Sequence, residues 1–480
     1  AALERLYARL RARGIEEPVA REVVRDLYGF ANYGFPESHA WSFALIAYAT
    51  AYLKAHYPAE FLYGLLESWP MGFYPPATLV HDARRHGVVV LGPCLRDGAW
   101  ECTLEPWPAG DAAGDPAREA AAAAAETPGV AVRIGWKFIR GLGERLLGLD
   151  PRPVERLTAW MHALTRAHPG GIAQMAIAAI ENALVDLKAR ALGVPVAALL
   201  GGPVRDRLRL YWSHAGSYRL RFHELVGTPP LRDLEGCRAL AAAIRERGFT
   251  AMKTNIFLFD RDPPEMWQPG FAHQPGWPEL NVDRATLRRI ERQMAAFREG
   301  AGDEVDLLLD LNFNFKTEGY LEVLRAIEPF DLLWLEIDLM DPAALAWIRR
   351  QARTPIASCE SLFHRRQFRP FLEQQAVDVA IVDVPWNGIL ESVKIASLCE
   401  TFSVNCAPHN FYGNLSTAMS AHFCAAIPNF RIMEIDIDDV PWKDEVVTPP
   451  RIENGHLLLG DAPGWGVEVN EAAIRRRAPG

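Results

Sequence analysis

With 480 residues, 49% of them hydrophobic, the chain can bury the cores of two or three domains. Its net charge of −9 argues against wholesale coating of nucleic acid, and no uninterrupted apolar stretch approaches the roughly 20 residues of a membrane span. Seven scattered cysteines, odd in number and without a C-x-x-C pair, exclude a zinc ribbon and read as a reduced, cytosolic (cytoplasmic) protein.

The opening AALERLYARLRARG has the pattern of an amphipathic helix rather than a signal peptide, and the lack of an initiator Met points to a truncated N-terminus. EEPVAREVVRDLYGF and AWSFALIAYATAYLKAHYP supply two apolar-faced helices broken by the Gly and Pro of NYGFPES, so residues 1–105 are expected to be an all-α fragment. Residues 106–129, PWPAGDAAGDPAREAAAAAAETPG, hold too few large apolar side chains to pack and are expected to be a linker. VAVRIGWKFIRGLGERL follows over 130–146, and its FIRGLGE suits a helix-hairpin turn. His81 and His86, five apart, cannot share one helical face, so no metal site is expected there.

Residues 147–207 carry two helical stretches, PVERLTAWMHALTR and GIAQMAIAAIENALVDLKARALG. From 208 to 475, apolar runs alternate with amphipathic helices: LRLYWS, TAMKTN, VDLLLD, LLWLEI, PIASC, VAIVD, VNCAPH and RIMEID. Eight strands with helical spacers predict a (β/α)8, TIM-like barrel, making the whole chain multidomain. The step from Lys253 to Asp310 is about twice the later ones, so the second loop is expected to carry an insertion containing DRDPPEMWQPGFAHQPGWPE.

The ends of these runs carry the chemistry. Asp310, Glu336 and Glu360 close successive runs at intervals of 26 and 24 residues, about one strand-plus-helix unit. Asp383, His409 and Glu434 continue at 23, 26 and 25. A single such residue reads as a turn or helix cap. Six in phase place their side chains at the C-terminal rim of one barrel, where enzymes of this architecture hold their catalytic groups. Three hard oxygen donors there suit Mg2+.

With these residues placed, 147–475 resembles the enolase superfamily, specifically its mandelate racemase-like branch. The resemblance is carried by AIENALVDLKARALGVPVAALLGG, the acids Asp310, Glu336 and Glu360, the dyad Asp383 and His409, and Glu434. It implies a Mg2+-dependent enzyme that abstracts the proton α to a carboxylate through an enediolate, acting on a small-molecule carboxylate. Asp310, Glu336 and Glu360 would be the metal ligands and His409 the base, with Asp383 fixing its tautomer. Glu434 would hydrogen-bond the substrate carboxylate from its protonated form, and Lys253 would add positive charge. Many relatives carry Lys-x-Lys on the second strand, where this chain has Lys253-Thr254-Asn255. The missing second base favours a one-base reaction over racemisation or cycloisomerisation. That reaction is dehydration of a sugar acid, with His409 removing the α-proton and then assisting departure of the β-hydroxyl. Asn255 and Asn312 would orient substrate. Homo-oligomers are common in the resembled family.

Residues 1–145 resemble something unrelated. NYGFPESHAWSFALIAYATAYLKAHYPAEFL, PMGFYPPATLVHDARRHGV and AVRIGWKFIRGLGE are similar to the fingers and the start of the helix-hairpin-helix region of the error-prone bacterial DNA polymerase III α subunit. The palm with its catalytic aspartates is not in this chain, so no nucleotide transfer is expected. Residues 1–60 balance seven basic against seven acidic side chains, so nucleic-acid binding is not expected of this fragment either. Ser38 and His39 of the fingers motif then read as a helix N-cap and a surface His. The family's capping domain is expected to survive only as its last helices from about Leu147, which predicts an impaired site and admits the reading of an inactive chimera.

Overall fold

The computed structural model describes residues 2–32, 37–68, 76–91, 102–107, 129–133, 146, 148–166, 169–269 and 282–477. It divides into two compact units, Ala1–Arg140 and Gly141–Gly480.

The first unit opens with five helices, α1 (Ala2–Ala12), α2 (Glu17–Asn32), α3 (Glu37–His56), α4 (Pro58–Glu67) and α5 (Pro76–Arg85). It is not all-α, which corrects the expectation from sequence. Strands β1 (Val90–Leu91), β2 (Thr103–Trp107) and β3 (Gly129–Arg133) form a sheet in the order β1-β3-β2. β3 runs parallel to β1 and antiparallel to β2, and the β-branched Val90 and Val132 are register partners. The strands lie too far apart in sequence for any local pattern to reveal their pairing. Leu62 and Leu66 of α4 and Ala83 of α5 pack with Val88, Val90, Cys102 and Val132 into one small core. The ends of the expected linker, Pro106, Trp107 and Gly129, are strand residues; the rest of it, FIRGLGE and the side chains of Ser38 and His39 lie outside the described residues.

The second unit begins with helices Val154–Leu164 and Gly171–Leu192, the latter stopped by Gly193 in the left-handed conformation. All eight apolar runs then form strands: β4 (Arg207–Ser213), β5 (Ala251–Thr254), β8 (Asp306–Asp310), β9 (Trp334–Glu336), β10 (Ile356–Ser358), β11 (Val379–Val382), β12 (Asn405–Pro408) and β13 (Met433–Asp436). The insertion after β5 contributes the short hairpin β6 (Phe257–Leu258) and β7 (Glu265–Met266); residues 270–281 of it lie outside the described residues. Parallel pairing runs β13-β4-β5-β8-β9-β10-β11-β12, a TIM-barrel-like sheet. At the remaining side, Cys406 N donates to Asn429 O and Arg431 N to Cys406 O, both at 2.8 Å.

Strand alternation divides the core in two. Tyr211, Ala251, Leu308, Trp334, Ala357, Val379, Ile381, Ala407 and Ile432 fill the inside of the sheet. Their neighbours, such as Met252, Leu307, Leu309 and Leu335, pack outward against the helices. Helices Leu234–Glu246 and Arg284–Ala301 pack so closely that a Cβ on Gly300 would stand 2.1 Å from the Arg238 carbonyl oxygen.

Candidate active site

Two residues beyond an inward-facing core residue, each strand aims another side chain inward, now at the C-terminal mouth. Ala251 is followed by Lys253, Leu308 by Asp310, Trp334 by Glu336, Ile381 by Asp383, Ala407 by His409 and Ile432 by Glu434. Glu360 breaks this rule. Alternation from Ala357 would aim Cys359 inward, but Cys359 takes a φ of 91° and packs into the outer core, which turns Glu360 into the mouth. The conformation is strained for a non-glycine residue, as is common where a functional side chain is re-aimed.

The structure brings His409 and Asp383 together: the imidazole Nδ1 lies 2.8 Å from Asp383 Oδ2, fixing Nδ1–H as the donor when the carboxylate accepts. Asp383 is fully buried and held further by Tyr412, whose hydroxyl donates to Oδ2 at 2.7 Å, and by Trp386 N, which donates to Oδ1 at 2.7 Å. His409 Nε2 faces Glu360 Oε2 at 3.4 Å. Burial would lower the imidazole pKa, but the charge of Glu360 and the bond to Asp383 outweigh it and push it up to about 10.

Lys253 is buried among carboxylates, with Nζ 3.0 Å from both Glu336 Oε1 and Glu434 Oε1 and 3.6 Å from Asp310 Oδ2. Asp310 and Glu336 are direct register partners. Burial raises both carboxyls against the pull of Lys253, Glu336 to about 8, with like-charge repulsion adding to the rise. Asp338, two residues beyond Glu336, is also buried; burial and Glu360 hold its carboxyl well above the ordinary value. Glu434 is buried at the same mouth. Its Oε1 accepts from Ser213 Oγ at 2.6 Å and its Oε2 from Asn410 N at 2.7 Å. Burial would raise its pKa, yet Lys253, His409 and His214 together hold it well below the carboxylate range.

Asn255, the residue after β5, is buried with its amide already engaged. Its Oδ1 accepts from Ser217 Oγ at 2.7 Å and its Nδ2 approaches the Asp310 carbonyl at 3.5 Å. Asn312 has a left-handed φ of 46° and donates its backbone N–H to Asp310 Oδ1 at 2.8 Å, so it braces that carboxylate. Sequence reasoning missed Asp338, Tyr412, Ser213, and the pair of His214 with Asp436, whose Nδ1 and Oδ1 are 2.9 Å apart. Asp338 and Asp436 could have been found by stepping two residues on from Glu336 and Glu434.

Among the described residues, no three acidic, His or Cys side chains converge closely enough to cage a metal ion. The donor set nevertheless fits a hard divalent cation. Asp310, Glu336, Asp338 and Glu360 are oxygen donors crowded in one mouth, two of them well above their ordinary pKa, and Asp338 Oδ2 is buried without a hydrogen-bond partner.

The TIM-barrel-like parallel sheet, with carboxylates and a His–Asp pair at its C-terminal mouth, is that of an enzyme of the enolase superfamily, as comparison with known proteins shows. The profile for the enolase C-terminal domain-like family matches residues 236–473, and that for the mandelate racemase / muconate lactonizing enzyme N-terminal domain matches 120–201. A Burkholderia xenovorans LB400 structure, assigned provisionally as an L-alanine-DL-glutamate epimerase and solved with magnesium and fumarate, is 49% identical; the match covers 71% of this chain and 85% of that one at a TM-score of 0.69. The D-galactonate dehydratase family member RspA of Halomonas elongata is 26% identical over 69% of this chain and 81% of its own length. The chain belongs to the mandelate racemase/muconate lactonizing enzyme family. Part of it is also 47% identical, over 141 residues, to an error-prone DNA polymerase of Burkholderia mallei, of whose length the match spans 12%. No helix among the described residues is long and apolar enough to cross a membrane.

Proposed function

We propose that the barrel catalyses Mg2+-dependent removal of the proton α to a carboxylate, and that the reaction is dehydration of a sugar acid. The observation that carries this reading is the His409–Asp383 pair, 2.8 Å apart in a mouth crowded with buried carboxylates. His409 is the base: once Glu360 holds a cation, the charge that raises the imidazole pKa would be cancelled and Nε2 left able to take the proton, while Asp383 and Tyr412 orient the ring. Asp310, Glu336 and Glu360 would hold the cation, which supplies the positive charge that makes an α-proton acidic enough to remove. Lys253 adds fixed positive charge beside Glu336 and Glu434, and Asn312 keeps Asp310 in place.

The test is α-proton exchange of D-galactonate in D2O with Mg2+, followed by NMR. Exchange and 2-keto-3-deoxy acid formation that both disappear in His409→Ala support the reading, whereas no exchange by the unmodified chain refutes it. A second reading, epimerisation, is favoured by the provisional assignment of the Burkholderia xenovorans relative. Against it, Asn255 stands at the second-strand position with its amide bound to Ser217 and near the Asp310 carbonyl, leaving no base there. Inversion at C2 without loss of water would favour this alternative.

A further inference from the structure

The dehydration reading leaves the departing β-hydroxyl without a dedicated proton donor, since His409 would have to serve both carbons. A second imidazole stands at the same mouth. His214 follows Ser213 at the end of β4, and Asp436 ends β13, the strand paired with β4; Ser213 and Asp436 are register partners. Asp436 Oδ1 lies 2.9 Å from His214 Nδ1, and Tyr218 donates its hydroxyl to Asp436 Oδ2 at 3.0 Å. This repeats the His409–Asp383–Tyr412 arrangement two strands away.

Phe411 links the two imidazoles, with its ring centroid 4.9 Å from His409 and 6.0 Å from His214. The His214 side chain is 20% exposed, so a ligand in the mouth can reach it, while Asp436 is buried. With Nδ1 occupied by Asp436, Nε2 is engaged by no hydrogen bond among the described residues. The backbone of His214 is left-handed, φ 48°, a conformation that turns the side chain out of the strand's alternation. Asp436 overrides the effect of burial and keeps the ring in its protonated form more readily than a free imidazole.

We propose that His214, held by Asp436 and Tyr218, is the general acid that protonates the departing β-hydroxyl. The assignment rests on the dehydration reading. His409 takes the α-proton and the C–H electron pair passes into the substrate carboxylate as an enediolate; that pair then returns as the Cα–Cβ double bond while the Cβ–O bond breaks with its electrons going to oxygen. That oxygen accepts the Nε2 proton of His214 and leaves as water, and the enol tautomerises to the 2-keto-3-deoxy acid.

The test compares the full chain with His214→Asn, in Mg2+, on D-galactonate and on 3-deoxy-3-fluoro-D-galactonate, whose fluoride leaves without protonation. Asn tolerates the left-handed backbone at this position, so the fold is preserved. Water loss is expected to fall by about 10²–10⁴ in the variant, with α-proton exchange and fluoride release within about threefold of the unmodified chain. Equal loss of all three signals, or unchanged water loss, overturns the assignment alone. An unmodified chain that inverts C2 without expelling water or fluoride overturns the dehydration reading and this assignment with it.

Discussion

Glu181 offers a direct check on the electrostatics of the barrel unit. This carboxylate, on helix Gly171–Leu192, is 1% exposed and accepts from Leu390 N at 2.9 Å, capping helix Ile389–Thr401. Burial raises its pKa from 4.5 to about 7 against the Leu390 bond and the charge of Lys394. The folded protein therefore binds this proton more tightly than the unfolded chain. Its stabilising contribution is complete below the unfolded value of 4.5, declines as pH rises and is exhausted above about 7. The difference between those two values corresponds to about 3 kcal/mol. Glu181→Gln imitates the neutral acid at every pH and keeps an oxygen for Leu390. At pH 8 the variant should be the more stable by up to about 3 kcal/mol, which for a unit of this size raises its melting temperature by about 4 °C. At pH 4.5 the two proteins should melt together. Melting followed by calorimetry at both pH values is the assay. A variant that melts at or below the parent at pH 8, with an unchanged pH slope, refutes the reasoning.

Glu336→Gln should abolish saturable Mg2+ uptake in calorimetric titration, because it removes the carboxylate between Asp310 and Glu360; uptake at the parent's affinity would place the cation elsewhere. Tyr412→Phe removes a 2.7 Å hydrogen bond to Asp383 and leaves the His409 contact, so α-proton exchange should slow roughly tenfold with folding unaffected. Unchanged exchange would leave Tyr412 without a positioning role. Gly300→Ala forces a Cβ to 2.1 Å from the Arg238 carbonyl oxygen, and the helices must separate at a cost of about 1–3 kcal/mol or more. A melting temperature equal to the parent's would refute that close packing.

The eight barrel strands were legible because each is a short apolar run ended by a polar residue and followed by an amphipathic helix. That pattern is local, and the parallel sheet follows from it. The small sheet of the first unit was illegible for the opposite reason. β2 and β3 are separated by the Ala-rich stretch, and only tertiary pairing of Leu104 with Val132 makes strands of them.

At the site, the interval of about 25 residues found one group per strand and stopped there. Side chains recur every second residue within a strand, so the alternation that aims Glu336 and Glu434 into the mouth also aims Asp338 and Asp436. The interval succeeded at Glu360 only because Cys359 adopts a φ of 91°; regular alternation would have buried that carboxylate among the outer helices. His214 escaped notice on two counts. It lies one residue past the inward-facing Ser213, so its direction depends on a left-handed backbone angle, and its partner Asp436 comes from a strand more than two hundred residues later. The same feature, a non-glycine residue at positive φ at the end of a barrel strand, brings Glu360 and His214 into the mouth. Both depart from the regular strand, and both meet the partners that give them a chemical role: His409 for Glu360, Asp436 for His214.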